Sequence, residues 1–114
     1  MANEWLEYAK SRLDPDDEVQ KNFIARYNGN YGYIVMSQRK VLFIGEKGFI
    51  RHTHDLLLEL PYETVEDTSI EAPNTLIIES EGGKRHVFTT DFAPATTIET
   101  NLKELIEDNL PRIS

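Results

Sequence analysis

The chain has 114 residues, with 12 lysines and arginines against 20 aspartates and glutamates, a net charge of −8 and no cysteine. That length suits one core and is short for two. The charge disfavours general attraction to nucleic-acid backbones and anionic head groups, and the missing cysteines exclude a disulfide framework and a thiolate metal site. Without a basic segment followed by an apolar one at the start, or any run of about 18 apolar residues, the expected localisation is cytoplasmic.

Leu6, Ala9 and Leu13 recur at helical spacing with Trp5 and Tyr8 beside them, and Asn3 is a suitable N-cap. A short amphipathic helix over about 3–13 is predicted. Pro15, among Asp14, Asp16 and Asp17, breaks it. From Val19 the period becomes two, Val19, Phe23, Ala25 and Tyr27 alternating with Gln20, Asn22, Ile24 and Arg26, which marks a strand with one buried face that Lys21 interrupts. Asn28-Gly29-Asn30 then makes a hairpin turn into the run Tyr31 to Met36, and Ser37 to Lys40 a second turn into Val41 to Ile44.

After Gly45 to Gly48 and a mixed stretch, Leu56 to Leu60 reads as a fourth strand stopped by Pro61, Tyr62 to Val65 as a single turn, and Glu66 to Glu71 as an edge-like fifth strand. Pro73-Asn74 turns the chain, and Thr75 to Ser80 and Arg85 to Thr89 form a last hairpin about Gly82-Gly83. Ile98, Leu102, Leu105, Ile106 and Leu110 then share a helical face, with Thr96 and Glu99 as a capping box and Glu99 and Lys103 as an i, i+4 pair. The expected fold is mainly β, a seven-stranded antiparallel barrel or sandwich with a C-terminal helix across its open end and a short helix at the N-terminus.

Two segments carry a resemblance. Val35-Met36-Ser37-Gln38-Arg39-Lys40-Val41-Leu42-Phe43-Ile44 is similar to the second hairpin of the pleckstrin-homology superfamily, with Ser37 for its usual Thr and Lys40 for Arg, and Leu60-Pro61-Tyr62-Glu63-Thr64-Val65 to its entry into the fifth strand. With Gly82-Gly83-Lys84 at the sixth-to-seventh turn, the chain resembles the small bacterial and archaeal pleckstrin-homology-like domains over about residues 18–110. The resemblance implies residues 1–17 as an added helix and connector, residues 18–114 as the domain, and a scaffold whose members bind phosphoinositides, peptides or proteins. Lipid-binding members place several basic residues round the first hairpin. Here that turn is Asn28-Gly29-Asn30, so the lipid site does not carry over.

His52-Thr53-His54-Asp55 has metal-ligand spacing, with His86 as a conceivable third ligand, but a zinc site needs three or four fixed ligands and no metal or other cofactor is expected. Asp16-Asp17-Glu18 and Glu66-Asp67 read as solvated runs, not catalytic carboxylates, and no phosphate loop or nucleophile motif appears, so the chain is expected not to be an enzyme. Tyr27, Tyr31, Tyr33 and Phe43 lack the basic groove of a nucleic-acid platform and read as core. Phe49-Ile50, an apolar pair in a loop, marks the candidate binding segment with Lys47, Arg51, His52 and His54 around it. The expected partner is a protein or peptide, including a second copy of the chain, reached through that loop or an open sheet edge. The alternative is membrane recruitment through Arg39, Lys40, Lys47, Arg51 and Arg85.

Overall fold

The computed structural model describes residues 4–47, 53–71 and 74–109. Helix α1 (Glu4–Ser11) precedes β1 (Val19–Tyr27), β2 (Asn30–Ser37), β3 (Lys40–Lys47) and β4 (Thr53–Pro61); a 3-10 turn (Tyr62–Thr64) then leads into β5 (Val65–Glu71), β6 (Thr75–Ser80), β7 (Lys84–Thr89) and α2 (Ala95–Asn109). The seven strands form one antiparallel sheet in the order β4-β3-β2-β1-β7-β6-β5. This is the mainly β architecture with two helices that the periodicities dictate. Asn28 and Gly29 both take positive φ, 52° and 79°, which gives the β1–β2 turn the twist that a two-residue hairpin needs.

The sheet buries apolar side chains on two faces. Its inner face gathers Ala25, Ile34, Met36, Phe43, Leu76, Ile78 and Phe88 into the main core, closed by Ile98 and Leu102 of α2. The outer face of β2 and β3 presents Val35, Leu42 and Ile44, covered by Ala9 of α1 with Trp5, Tyr8 and Leu13 beside it. Strands buried on both faces lose their alternation and read as continuous apolar runs, as in Tyr33 to Met36 and Val41 to Ile44. A bulge between Val19 and Lys21 changes the phase of β1: Val19 joins the outer cluster, whereas Phe23 and Tyr27 join the inner one. Lys21 is exposed where the phase changes, which explains how a cation interrupts the apolar stripe.

Several expectations shift. Helix α1 ends at Ser11 instead of near residue 13; β3 runs to Lys47, and β4 starts at Thr53, absorbing residues read as loop. Asn3 and Leu110 lie outside the described residues. Helix α2 begins at Ala95, one residue after Pro94, so Thr96 is inside its first turn and the capping box does not form. The Glu99 carboxylate instead accepts from Thr68 Oγ1 at 2.8 Å, tying α2 to β5, and pairs with Lys103 at 3.7 Å. The aromatics divide: Tyr27, Phe43 and Phe88 pack together inside, Tyr33 stacks on Trp5 outside with ring centroids 4.4 Å apart, and Tyr31 is half exposed instead of core. Asp17, read as solvated, is buried and hydrogen-bonded.

Leu102 is fully buried, so Leu102→Ala leaves a cavity and should cost about 2–5 kcal/mol, while Glu104→Ala on the exposed side should stay within about 0.5 kcal/mol. A Cβ built at Gly32 would lie 2.0 Å from the Ile44 carbonyl oxygen across the β2–β3 pair. Gly32→Ala should therefore cost more than about 2 kcal/mol, because backbone must move. Equilibrium urea denaturation of the three variants measures all of these, and near-wild-type midpoints for Leu102→Ala or Gly32→Ala would contradict the packing described.

Candidate functional site

Of the residues singled out from the sequence, Phe49, Ile50, Arg51 and His52 lie outside the described residues, and Lys47 is the last residue of β3. His54 is on β4, opposite Glu46 on β3; its Nε2 is 3.5 Å from Glu46 Oε2 and its ring 6.3 Å from that of Tyr8, with the side chain only 9% exposed. It therefore packs beneath α1 on the outer side of the sheet. His86 points from β7 toward the inner core, hydrogen-bonded to Tyr27, so the two histidines face opposite sides and cannot share an ion. Among the described residues no three metal-ligating side chains converge.

The basic residues do not form a free patch either. Arg39 pairs with Asp14 and Asp16, Lys40 with Glu59, Arg85 with Glu71 and Glu79, and Arg26 with Asp91. Each such pair removes a cation from the pool available to an anionic surface. No described helix is long and apolar enough to cross a membrane.

A different place stands out. Among the described residues the exposed large apolar side chains are Ile24, Tyr31, Val87 and Phe92, at 42%, 50%, 41% and 77% exposure. Three of them, Ile24, Tyr31 and Phe92, flank the end of the seam at which β7 leaves β1. Those strands pair at Arg26↔Thr89 and Tyr27↔Phe88. Because β1 and β7 are antiparallel, Ile24 and Val87, each two residues before a member of the first pair, share the outer face but lie roughly 7 Å from that pair in opposite directions, and Tyr31 is cross-strand from Arg26. The Arg26 guanidinium stacks on the Tyr31 ring at 4.6 Å and bonds Asp91 Oδ2 at 3.1 Å, and Tyr31 O–H donates to the same carboxylate at 3.2 Å. That hydrogen bond and the charge of Asp91 raise the Arg26 pKa above its ordinary value. Phe92 follows Asp91 directly. A shallow hollow of about 180 Å³ beside the group is lined by Ile24, Tyr31, Gly32, Tyr33 and Glu46.

The β1–β7 ladder stops at Thr89, while Thr90 extends the β6 side by one bond, its N–H donating to the Asn74 carbonyl at 2.8 Å. Residues 19–25 of β1 thus have no strand on the side away from β2 among the described residues. The sequence reading missed this group. Its signal was present: Ile24 and Val87 occupy the polar phase of alternating strands, between Asn22 and Arg26 and between Arg85 and Thr89.

A second cluster resembles catalytic machinery and reads otherwise. Ser80 Oγ is 3.0 Å from His86 Nε2, and Tyr27 Oη is 3.2 Å from His86 Nδ1, beside a cleft of about 320 Å³ reached by Leu60, Pro61, Thr64 and Lys84. A nucleophilic serine needs exposure and a carboxylate to steady the imidazolium. Here Ser80 is 3% exposed and the third member is a phenol, so the chain reads as a satisfied polar link across the core.

Burial, and secondarily the charge of Lys84, lower the His86 pKa below the ordinary 6.5. The unfolded chain takes up the proton first, so the stability contributed by neutral His86 is complete above about pH 6.5 and is lost as pH falls from there through the folded value. Denaturation midpoints compared at pH 7.5 and 5.5 should fall more for the wild type than for His86→Gln; equal falls would contradict this.

No protein-family model matches the chain, and no curated protein matches it. Among solved structures, the crystal structure of the C-terminal domain of an unknown protein from Leishmania infantum is similar, with a TM-score of 0.60 and 10% sequence identity, over 90% of this chain and 93% of that one. At that identity the likeness is one of fold alone.

Proposed function

We propose that this chain is a non-enzymatic binding module of the pleckstrin-homology type, working in the cytoplasm, whose partner is a protein or peptide. One observation carries the reading: three exposed large apolar side chains, Ile24, Tyr31 and Phe92, flank the end of the β1–β7 seam, beside a stretch of strand with an open edge. Exposed apolar groups gathered in one place, next to unpaired backbone, are what a protein surface uses to recognise another chain. The pleckstrin-homology assignment draws support from the two resembling segments, which touch: Tyr62 N–H donates to the Arg39 carbonyl and Tyr62 O–H to that of Ser37.

Membrane recruitment has weaker support. Arg39, Lys40 and Arg85 of its basic set are each held by carboxylates, in a chain of net charge −8. Electrostatic adsorption needs cations in excess at the surface.

Selection of a random dodecapeptide library on the immobilised domain, alongside co-sedimentation with phosphatidylserine vesicles across salt concentrations, separates the readings. The expected result is recovery of peptides that bind the free domain in solution and lose affinity on Ile24→Asp, with no vesicle binding. Salt-sensitive vesicle binding without peptide recovery would overturn the proposal in favour of the membrane.

A further inference from the structure

The β1–β2 hairpin turns through two residues, Asn28 and Gly29, so Tyr27 and Asn30 form its closing hydrogen-bonded pair. Antiparallel pairs alternate, and Ala25↔Gly32 and Phe23↔Ile34 are therefore the next hydrogen-bonded pairs along the ladder. The residues between them turn their N–H and C=O the other way. Arg26 meets Thr89 of β7 by this rule, but Ile24 and Asn22 face the side from which β7 has departed, and no described residue hydrogen-bonds their backbone groups. Gln20, Lys21, Asn22, Ile24 and Arg26 are all exposed, so the edge is open to solvent.

We infer that this edge of β1 is a docking site for an extended basic peptide, which adds to the sheet as a strand by pairing with Asn22 and Ile24. The inference rests on the binding-module reading and names its site and the chemistry of its occupant. Three observations choose that occupant. Outward N–H and C=O groups in alternation recognise extended backbone and nothing rounder. Ile24 and the nearly free ring of Phe92, just past the point where β7 leaves, offer apolar contact to alternate side chains of the incoming strand. The charge sets the sign: the domain carries −8, Arg26 is neutralised by Asp91, and at the start of β1 the exposed Glu18 and Lys21, neither in an ion pair among the described residues, offset each other, which leaves the acidic field of the whole domain. Potential complementarity therefore favours lysine and arginine in the partner and opposes a second copy of the same acidic chain.

The test uses the whole domain and the peptides recovered from a random dodecapeptide library, synthesised and titrated into isotopically labelled protein. The expected peptides alternate apolar or β-branched residues with lysine or arginine, shift the amide resonances of residues 21–25, and weaken as salt rises. Ile24→Pro, which removes the outward N–H at a position where an edge tolerates proline, should reduce affinity about tenfold or more. Phe92→Ser, in an exposed loop and without consequence for folding, should reduce it by about threefold or more, and replacing the peptide's basic residues by glutamate should abolish binding. Peptides that bind but perturb another face, or that ignore Ile24→Pro and Phe92→Ser, would overturn this inference and leave the binding-module reading standing. Recovery of no binding peptide would overturn both.

Discussion

The fold turns on a serine. Ser37 closes β2, and its hydroxyl donates to the buried carboxylate of Asp17 at 2.8 Å while accepting the N–H groups of Arg39 at 3.2 Å and Lys40 at 3.1 Å. The other Asp17 oxygen takes the Gln38 N–H at 2.9 Å, and the Ser37 carbonyl takes the Tyr62 hydroxyl. A buried carboxylate is tolerable only when its lone pairs are used, and here both oxygens are. Burial, with the charge of Asp17, drives the Tyr62 pKa far up, so the phenol stays a donor. Three segments meet at this point: the connector that delivers α1, the β2–β3 turn, and the corner carrying β4 into β5. Ion pairs from Arg39 to Asp14 and Asp16 fasten the same connector from outside. The position of α1 over the outer face and the direction of the sheet at its corner both follow from one hydrogen-bonded node.

That node explains why two separated stretches of sequence carried the family resemblance. Ser37 to Lys40 and Pro61-Tyr62 look like unrelated turns on paper, yet they share hydrogen bonds across the sheet. The order and type of every element were legible because the chain changes period cleanly and its turns use Asn, Gly and Pro. Less legible were features that depend on a partner in space. Nothing in Asp16-Asp17-Glu18 separates the buried carboxylate from its exposed neighbours, because the difference lies in Ser37, twenty residues away. Thr96 looks like an N-cap, but the Pro94 carbonyl accepts from Thr97 and Ile98, which starts the helix two residues earlier. Thr53 to Asp55 looked like loop because a polar sequence on an outer face, with His54 opposite Glu46, has no hydrophobic alternation to betray a strand.

The candidate site was hidden for a related reason. A single isoleucine or valine in the polar phase of a strand is ordinary, and exposed apolar residues taken one at a time need no explanation. Ile24 becomes informative only when the β1–β7 pairing sets it at the end of the seam with Tyr31 and Phe92, while Val87 lies on the far side of the two pairs. The outer face is thereby divided: α1 covers the part over β2 and β3, and the seam is left uncovered. Arg26, Arg39, Lys40, Arg85 and Lys103, meanwhile, spend their charge on local carboxylates, and the long-range field of the domain is set by its excess of acid.

The narrowness of the seam also bears on how the molecule moves. Two residue pairs join β1 to β7, whereas β1–β2, β2–β3 and β5–β6 run along most of their lengths. Local opening follows the fewest and most solvent-exposed hydrogen bonds, so the line between β1 and β7 is where the sheet is expected to open first, with α2 held to β5 and β6 on one side of it. Amide protons in the doubly buried β2 and β3 are then expected to exchange with global unfolding, and those flanking the seam by this smaller opening.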